Sequence, residues 1–230
     1  MKLFRFLPIA AILLLAASCG PSRYTAPDVN LSSVKEFAFF QPYSVVIGYD
    51  ANNNAYYDAA RSKTATNLVT GIIESERFPF SEVIPVDYSD SQADDVRWLC
   101  TFPDVDPTKI DRIRVPKSLR KKLDESGYRY GVFVYTHGFV RSKEYLQRQA
   151  LVRSVGRIID KVVEKTTGKY TYTYYPVSSP YGCTMFCAVV DGETDRVVYF
   201  SRDIMSDFAH PNDRSDVNAI VHRLLKDFTR

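Results

Sequence analysis

The sequence predicts an α/β domain with mixed α+β character: a mixed sheet of about five strands covered by helices. Three features point to it. Segments that alternate with a period near two are interleaved with segments of period near 3.6. The tract from Tyr128 to Val140 is apolar at odd and even positions alike, as a strand buried on both faces must be. A hairpin-type strand pair and a helix then close the chain, an order that sets helices against a mixed sheet.

The elements follow from local chemistry. Glu36 to Tyr49 carries Phe37, Phe39, Phe40 and Val45-Val46-Ile47, which read as a strand or a broken pair of strands. Asn52-Asn53-Asn54 is a turn and a supply of N-caps. From Ala55 to about Arg77 the spacing predicts a helix with Ala60, Thr64, Leu68, Gly71 and Ile72 on its stripe, ended by Pro79. Val83-Ile84-Pro85-Val86 is a short strand, whereas residues 87–111 are acidic, rich in turn formers and without a readable period. Pro116 suits a first helical turn and Gly127 a helix end, so Pro116–Ser126 is a basic helix.

In the middle strand, Tyr130, Val132 and Val134 alternate with Gly131, Phe133 and Tyr135. Leu146 to Lys165 then has the clearest amphipathic period in the chain, with Leu151, Val155, Ile158, Ile159, Val162 and Val163 on one face. Arg148, Arg153, Arg157, Lys161 and Lys165 flank that face, and Gly168 closes the helix. Lys169 to Tyr175 alternates Thr and Tyr before Pro176, Pro180 and Gly182 break the chain, so residues 146–182 form an insertion. Cys183–Asp191 and Arg196–Arg202 are strands joined by Asp191-Gly192-Glu193-Thr194-Asp195. Asp213 or Ser215 caps a last helix in which Val217, Ile220, Val221, Leu224, Leu225 and Phe228 recur at helical spacing.

The first residues serve targeting rather than folding. Met1-Lys2-Leu3-Phe4-Arg5 is cationic, Phe6 to Ala17 is apolar, and Ala16-Ala17-Ser18 supplies small residues before a cut. The apolar run is about a dozen residues against the roughly 20 that a spanning helix needs, so cleavage is expected. Cys19, directly after the small residues, resembles the lipobox cysteine of bacterial lipoproteins, with Ala16 where Leu is commonest. The resemblance implies acylation of Cys19 and attachment to the bacterial cell envelope. By resemblance to the sorting rule of enteric bacteria, Gly20 rather than Asp at the next position implies the outer membrane. Two acyl chains suffice for stable anchoring. The expected organisation is a signal peptide at 1–18, a lipidated tether at 19–33, and one globular domain at 34–230.

The formal charge of +3 falls to +1 once Lys2 and Arg5 leave with the signal peptide, which removes any global electrostatic case for nucleic acid. Cys100, Cys183 and Cys187 remain, an odd number. Cys183 and Cys187 stand ~13 Å apart in one strand at ~3.3 Å per residue, beyond the reach of a bridge. A disulfide would therefore need Cys100; otherwise all three are buried thiols.

No reactive constellation emerges. His137, His210 and His222 lack the spacing of metal ligands, and no Cys pair has C-x-x-C spacing. A Cys–His dyad of Cys183 or Cys187 with His137 is geometrically conceivable, but Met185, Phe186, Ala188 and Val189 would make those thiols inert. Asp104, Asp106 and Asp111, with Asp94-Asp95, lack the glycine and terminal Glu of a calcium loop and read as a solvated turn. Neither a G-x-S-x-G elbow nor a glycine-rich phosphate loop occurs. The expectation is therefore no enzyme, no cofactor and no metal.

Two surfaces remain as candidates. A stripe like that of Leu146–Lys165 ordinarily packs on a sheet, and core packing is the leading reading; its basic flanks leave open a membrane interface or a partner helix. The tyrosines Tyr170, Tyr172, Tyr174 and Tyr175, with Tyr181, suit an interaction surface, their alternative being an exposed edge strand.

The tract Ala188-Val189-Val190-Asp191-Gly192-Glu193-Thr194-Asp195-Arg196-Val197-Val198-Tyr199-Phe200-Ser201 resembles the penultimate hairpin of envelope lipoproteins related to the curli-secretion lipoprotein and the penicillin-binding-protein activator lipoproteins. Tyr128-Arg129-Tyr130-Gly131-Val132-Phe133-Val134 resembles their middle strand. The similarity is one of order and patterning over about residues 36–228; it departs at Leu146–Tyr175 and carries no catalytic residues across. It implies a non-enzymatic envelope lipoprotein that binds an envelope protein or self-associates. A second possibility is an oligomeric membrane-associated or pore-type secretion subunit using residues 146–175. An envelope hydrolase is the third and weakest.

Overall fold

The computed structural model describes residues 23–34, 36–76, 78, 80, 82–167, 178–204 and 209–228. Its strands are β1 (Arg23–Thr25), β2 (Phe37–Phe40), β3 (Tyr43–Tyr49), β4 (Ala55–Tyr57), β5 (Glu82–Ile84), β6 (Tyr130–Arg141), β7 (Tyr181–Asp191) and β8 (Arg196–Ile204). The helices are α1 (Ala59–Ser75), α2 (Asp90–Val105), α3 (Lys117–Ser126), α4 (Lys143–Thr167) and α5 (Arg214–Leu224). The class is the expected α/β one, with a mixed sheet of eight strands among the described residues rather than about five.

Strand β6 organises the sheet. Its first half pairs in parallel with β2, through Phe37↔Tyr130 to Phe39↔Val132. Its second half pairs in parallel with β3, through Tyr43↔Tyr135 to Tyr49↔Arg141. The break between β2 and β3 falls at Gln41 and Pro42, which has no N–H for a ladder. The expected broken pair is thus real, and both pieces share one partner. Antiparallel β7 lies along the other side of β6, followed by β8 and β1.

Alternation along β6 builds two cores. Val132 and Val134 face α1 and α5 through Val69, Ile72, Ile73, Ile220 and Leu224. Phe133 and Tyr135 face the opposite layer, formed by Val96, Leu99 and Cys100 of α2 and Leu119 and Leu123 of α3. Helix α5 is capped by Asp213, whose side chain accepts from the amides of Ser215 and Asp216. Every apolar position expected on its stripe is buried. Gly127 ends α3 at φ 75°, where a Cβ is strained.

The β7–β8 hairpin is held from below. Asp191, 1% exposed, accepts from Arg129 Nε at 3.0 Å and Nη2 at 2.9 Å, from the Glu193 amide at 2.9 Å and from Thr194 Oγ1 at 3.0 Å. Burial opposes ionisation of this carboxyl, but the Arg129 hydrogen bonds and those of the loop outweigh it and hold its pKa below the usual range.

Four expectations are corrected. Residues 23–33, expected as tether, belong to the domain: β1 pairs with β8, and Ala26 donates to Val198 O at 2.8 Å. Ala55–Tyr57 is a strand rather than the start of a helix, because it pairs with β3 across the Asn turn. The buried side of α1 is Ser62, Ala65, Val69, Ile72 and Ile73, while Ala60 and Thr64 are exposed. Most of residues 87–111 is helical: α2 opens with a capping box of Ser89 and Gln92.

Candidate functional surface

Helix α4 grows directly from the end of the central strand. Ser142 joins them; its amide donates to Tyr49 O at 2.9 Å and its hydroxyl accepts from the Tyr145 amide at 3.2 Å, a side-chain cap. Beneath this joint the Arg141 guanidinium lies over the rings of Phe139 and Tyr49, 4.7 Å and 5.0 Å from their centroids. Arg148 reaches back to Asn52 Oδ1 at 3.2 Å, and Gln149 bridges Tyr145 and Ser178. A groove of about 400 Å³ opens at this foot, between Asn52 on the turn and Tyr145, Arg148 and Val152 on the helix.

Beyond the foot, the core reading of α4 is overturned. Leu151, Val152, Val155, Ile158, Ile159 and Val162 are 47–65% exposed, and Gly156 is its buried residue. The face forms because the residues recur at 3- and 4-residue steps, but among the described residues nothing covers it. The surface alternatives that the sequence left open are the ones the structure favours. No helix among the described residues is long and apolar enough to cross a membrane.

The other predicted positions separate. Cys19 and the tyrosines Tyr170, Tyr172, Tyr174 and Tyr175 lie outside the described residues. Tyr181 opens β7, half-buried, with its ring edge-on to His210 at 5.0 Å. Cys100, Cys183 and Cys187 are free and buried, so none is bridged. Burial pushes the Cys183 thiol up to about 12 and holds the Cys100 and Cys187 thiols well above their ordinary value.

Register removes the proposed dyad. Val134 pairs with Cys187 and His137 with Thr184, and side chains alternate along each strand, so His137 lies on the face opposite Cys183 and Cys187. His222 instead meets Glu76 at 2.6 Å. Among the described residues no group of three or more His, Cys, Asp or Glu side chains is placed to hold a metal ion. Asp106 pairs with Lys109 at 2.7 Å, Asp94 with Arg97 at 3.0 Å, and Asp95 accepts from Ser118.

Two exposed aromatic features escaped the sequence reading. Tyr56 and Tyr57 stand on edge strand β4, with the Tyr56 ring laid across Gly48, where a Cβ would come within 2.3 Å of it. Trp98 stacks on Phe102 at 5.2 Å beside Lys109, Arg112 and Arg114, around a groove of about 300 Å³. Both lie in segments whose pattern points elsewhere: Ala55–Tyr57 precedes a run of small residues that suits a helix, and the period of α2 is diluted by acidic residues.

The chain matches no protein-family model, and no curated protein is similar to it in sequence. Among solved structures it is similar to the PelC dodecamer from Paraburkholderia phytofirmans, seen in two crystal forms, one of a single-substitution variant. Each covers 90% of this chain and 94% of the other, at 7% identity and a TM-score of 0.38. Similarity of that order leaves function to be argued from this chain's own residues.

Proposed function

We propose that this protein is a non-enzymatic envelope lipoprotein, acylated on Cys19 and held at the outer membrane, whose domain binds envelope proteins or copies of itself. One observation carries the reading most directly. Only Gly20, Pro21 and Ser22 lie between Cys19 and β1, so an acyl anchor would hold the sheet within ~14 Å of the lipid, at ~3.5 Å per extended residue. The domain is then a surface component rather than a body on a long tether. The sequestered thiols and the separation of His137 from them support a binding role over a hydrolytic one.

Cys19→Ser tests the anchor. Expressed in a bacterium, the wild type is expected to incorporate a clickable palmitate analogue and to fractionate with membranes after processing. The variant is expected to lose the label and accumulate as precursor. Equal labelling of both chains sinks the reading.

A further inference from the structure

On an α-helix advancing 100° per residue, Leu151, Val155, Ile158 and Val162 form a 4-3-4 seam, with Val152 and Ile159 beside it. The face is continuous, aliphatic and exposed along the helix beyond its foot. The helix nevertheless carries six Lys and Arg and three Asp and Glu among its 25 residues, which bars it from the hydrocarbon interior but not from an interface.

Its placement narrows the occupant. Strand β1 runs antiparallel to β8, with Arg23 opposite Ser201 and Thr25 opposite Tyr199. The chain therefore enters β1 from the end of the sheet where β8 finishes at Ile204, β7 begins at Tyr181, β6 finishes at Arg141 and α4 begins. The anchor proposed above and the foot of α4 thus share one end of the sheet.

Charge narrows it further. Lys161, Lys165 and Lys143 line one edge of the seam; Tyr145, Gln149, Gly156 and Val163 line the other. Asp160 and Glu164 lie on the far side of the helix, and Glu144, in the first turn, lies on the bearing of the seam itself, at its foot. A second copy laid seam to seam would present a single carboxylate, Glu144 at the foot, to the three lysines. An anionic headgroup layer would meet them directly, each basic residue near such a surface adding to the attraction.

We propose that the exposed face of α4 is a lipid-contact surface that lies in the headgroup region of an anionic bilayer, as a second membrane attachment beside the acyl anchor. The proposal rests on the anchored reading for its location, and on the helix itself for its chemistry.

The test uses the processed, full-length lipoprotein reconstituted into vesicles, with bimane on Ile158→Cys or, as control, Arg157→Cys. The native thiols are buried and leave the label to the new site. With nitroxide lipids in phosphatidylethanolamine–phosphatidylglycerol vesicles, position 158 is expected to lose about half its emission, as befits side chains sunk 5–10 Å into the interface. Position 157 is expected to keep its emission, and the loss at 158 to shrink in phosphatidylcholine. Equal quenching at both positions, or none at 158, overturns the proposal. So does disulfide crosslinking of Ile158→Cys between copies with no quenching, which assigns the face to a second copy. Mass analysis of the N-terminal peptide separates the two readings. An acylated peptide with an unquenched 158 removes this proposal alone, and a quenched 158 without acylation removes the anchor alone.

Discussion

Helices α4 and α5 carry the same signal in sequence and meet opposite fates. Both have aliphatic residues at 3- and 4-residue spacing. On α5, Val217, Ile220, Val221 and Leu224 are at most 1% exposed against β6–β8, whereas the stripe of α4 stands more than half in water at most of its positions. The difference lies in what precedes each helix. Just before α5, Ala209 joins the core and His210 N donates to Asp216, which seats the helix on the sheet. Ser142 alone separates the end of β6 from α4, so the helix continues from the end of the central strand. A periodic stripe states that a helix needs an apolar partner; the connection before it decides whether the protein supplies one.

The largest expected effect tests the buried half of that contrast. Ile220→Ala leaves a cavity between α5 and the sheet and is expected to cost about 3 kcal/mol in chemical denaturation. A loss below about 1 kcal/mol would mean that α5 is no better packed than α4.

Next comes the hairpin on which α5 partly rests. Asp191→Asn replaces a carboxylate whose four hydrogen bonds include two from a guanidinium, and is expected to cost about 2 kcal/mol near neutral pH. The folded pKa is depressed, so this stabilisation is full above the unfolded value of about 3.9 and fades as pH falls through the lower folded value. Denaturation midpoints of wild type and variant should therefore converge below about pH 4, and a gap that is constant in pH would contradict the ion-pair account. The smallest effect is on the exposed half. Ile158→Ala removes no packing and exchanges a β-branched residue for the best helix former, so its stability should stay within about 0.5 kcal/mol of wild type.

The sequence revealed the fold where one physical rule dominated. Val132 and Phe133 announce a doubly buried strand, Pro116 and Gly127 bracket α3, and Asp213 caps α5. It misled where two rules competed. In α2 the apolar residues Val96, Leu99 and Cys100 are diluted by Asp90, Asp94 and Asp95, and the Ser89–Gln92 capping box was the available signal. Around Ala55 the run of small residues that favours α1 also contains Tyr56 and Tyr57, whose preference for a strand prevailed. On the candidate surface, the composition of the α4 stripe was legible from the spacing. Its exposure was not, because the same stripe serves a helix packed on a sheet and one that stands clear of it.

The branching of β6 also bears on the timing of folding. Its partners β2 and β3 lie ~90 residues upstream, so the central parallel pairing closes a long loop and is intrinsically slow. The backbone hydrogen bonds within helix α4 are local, and such helices form within about a microsecond. On the anchored reading proposed above, the apolar face of α4 would therefore be ready long before the sheet is complete, and a bilayer beside it could be engaged while the core is still being assembled.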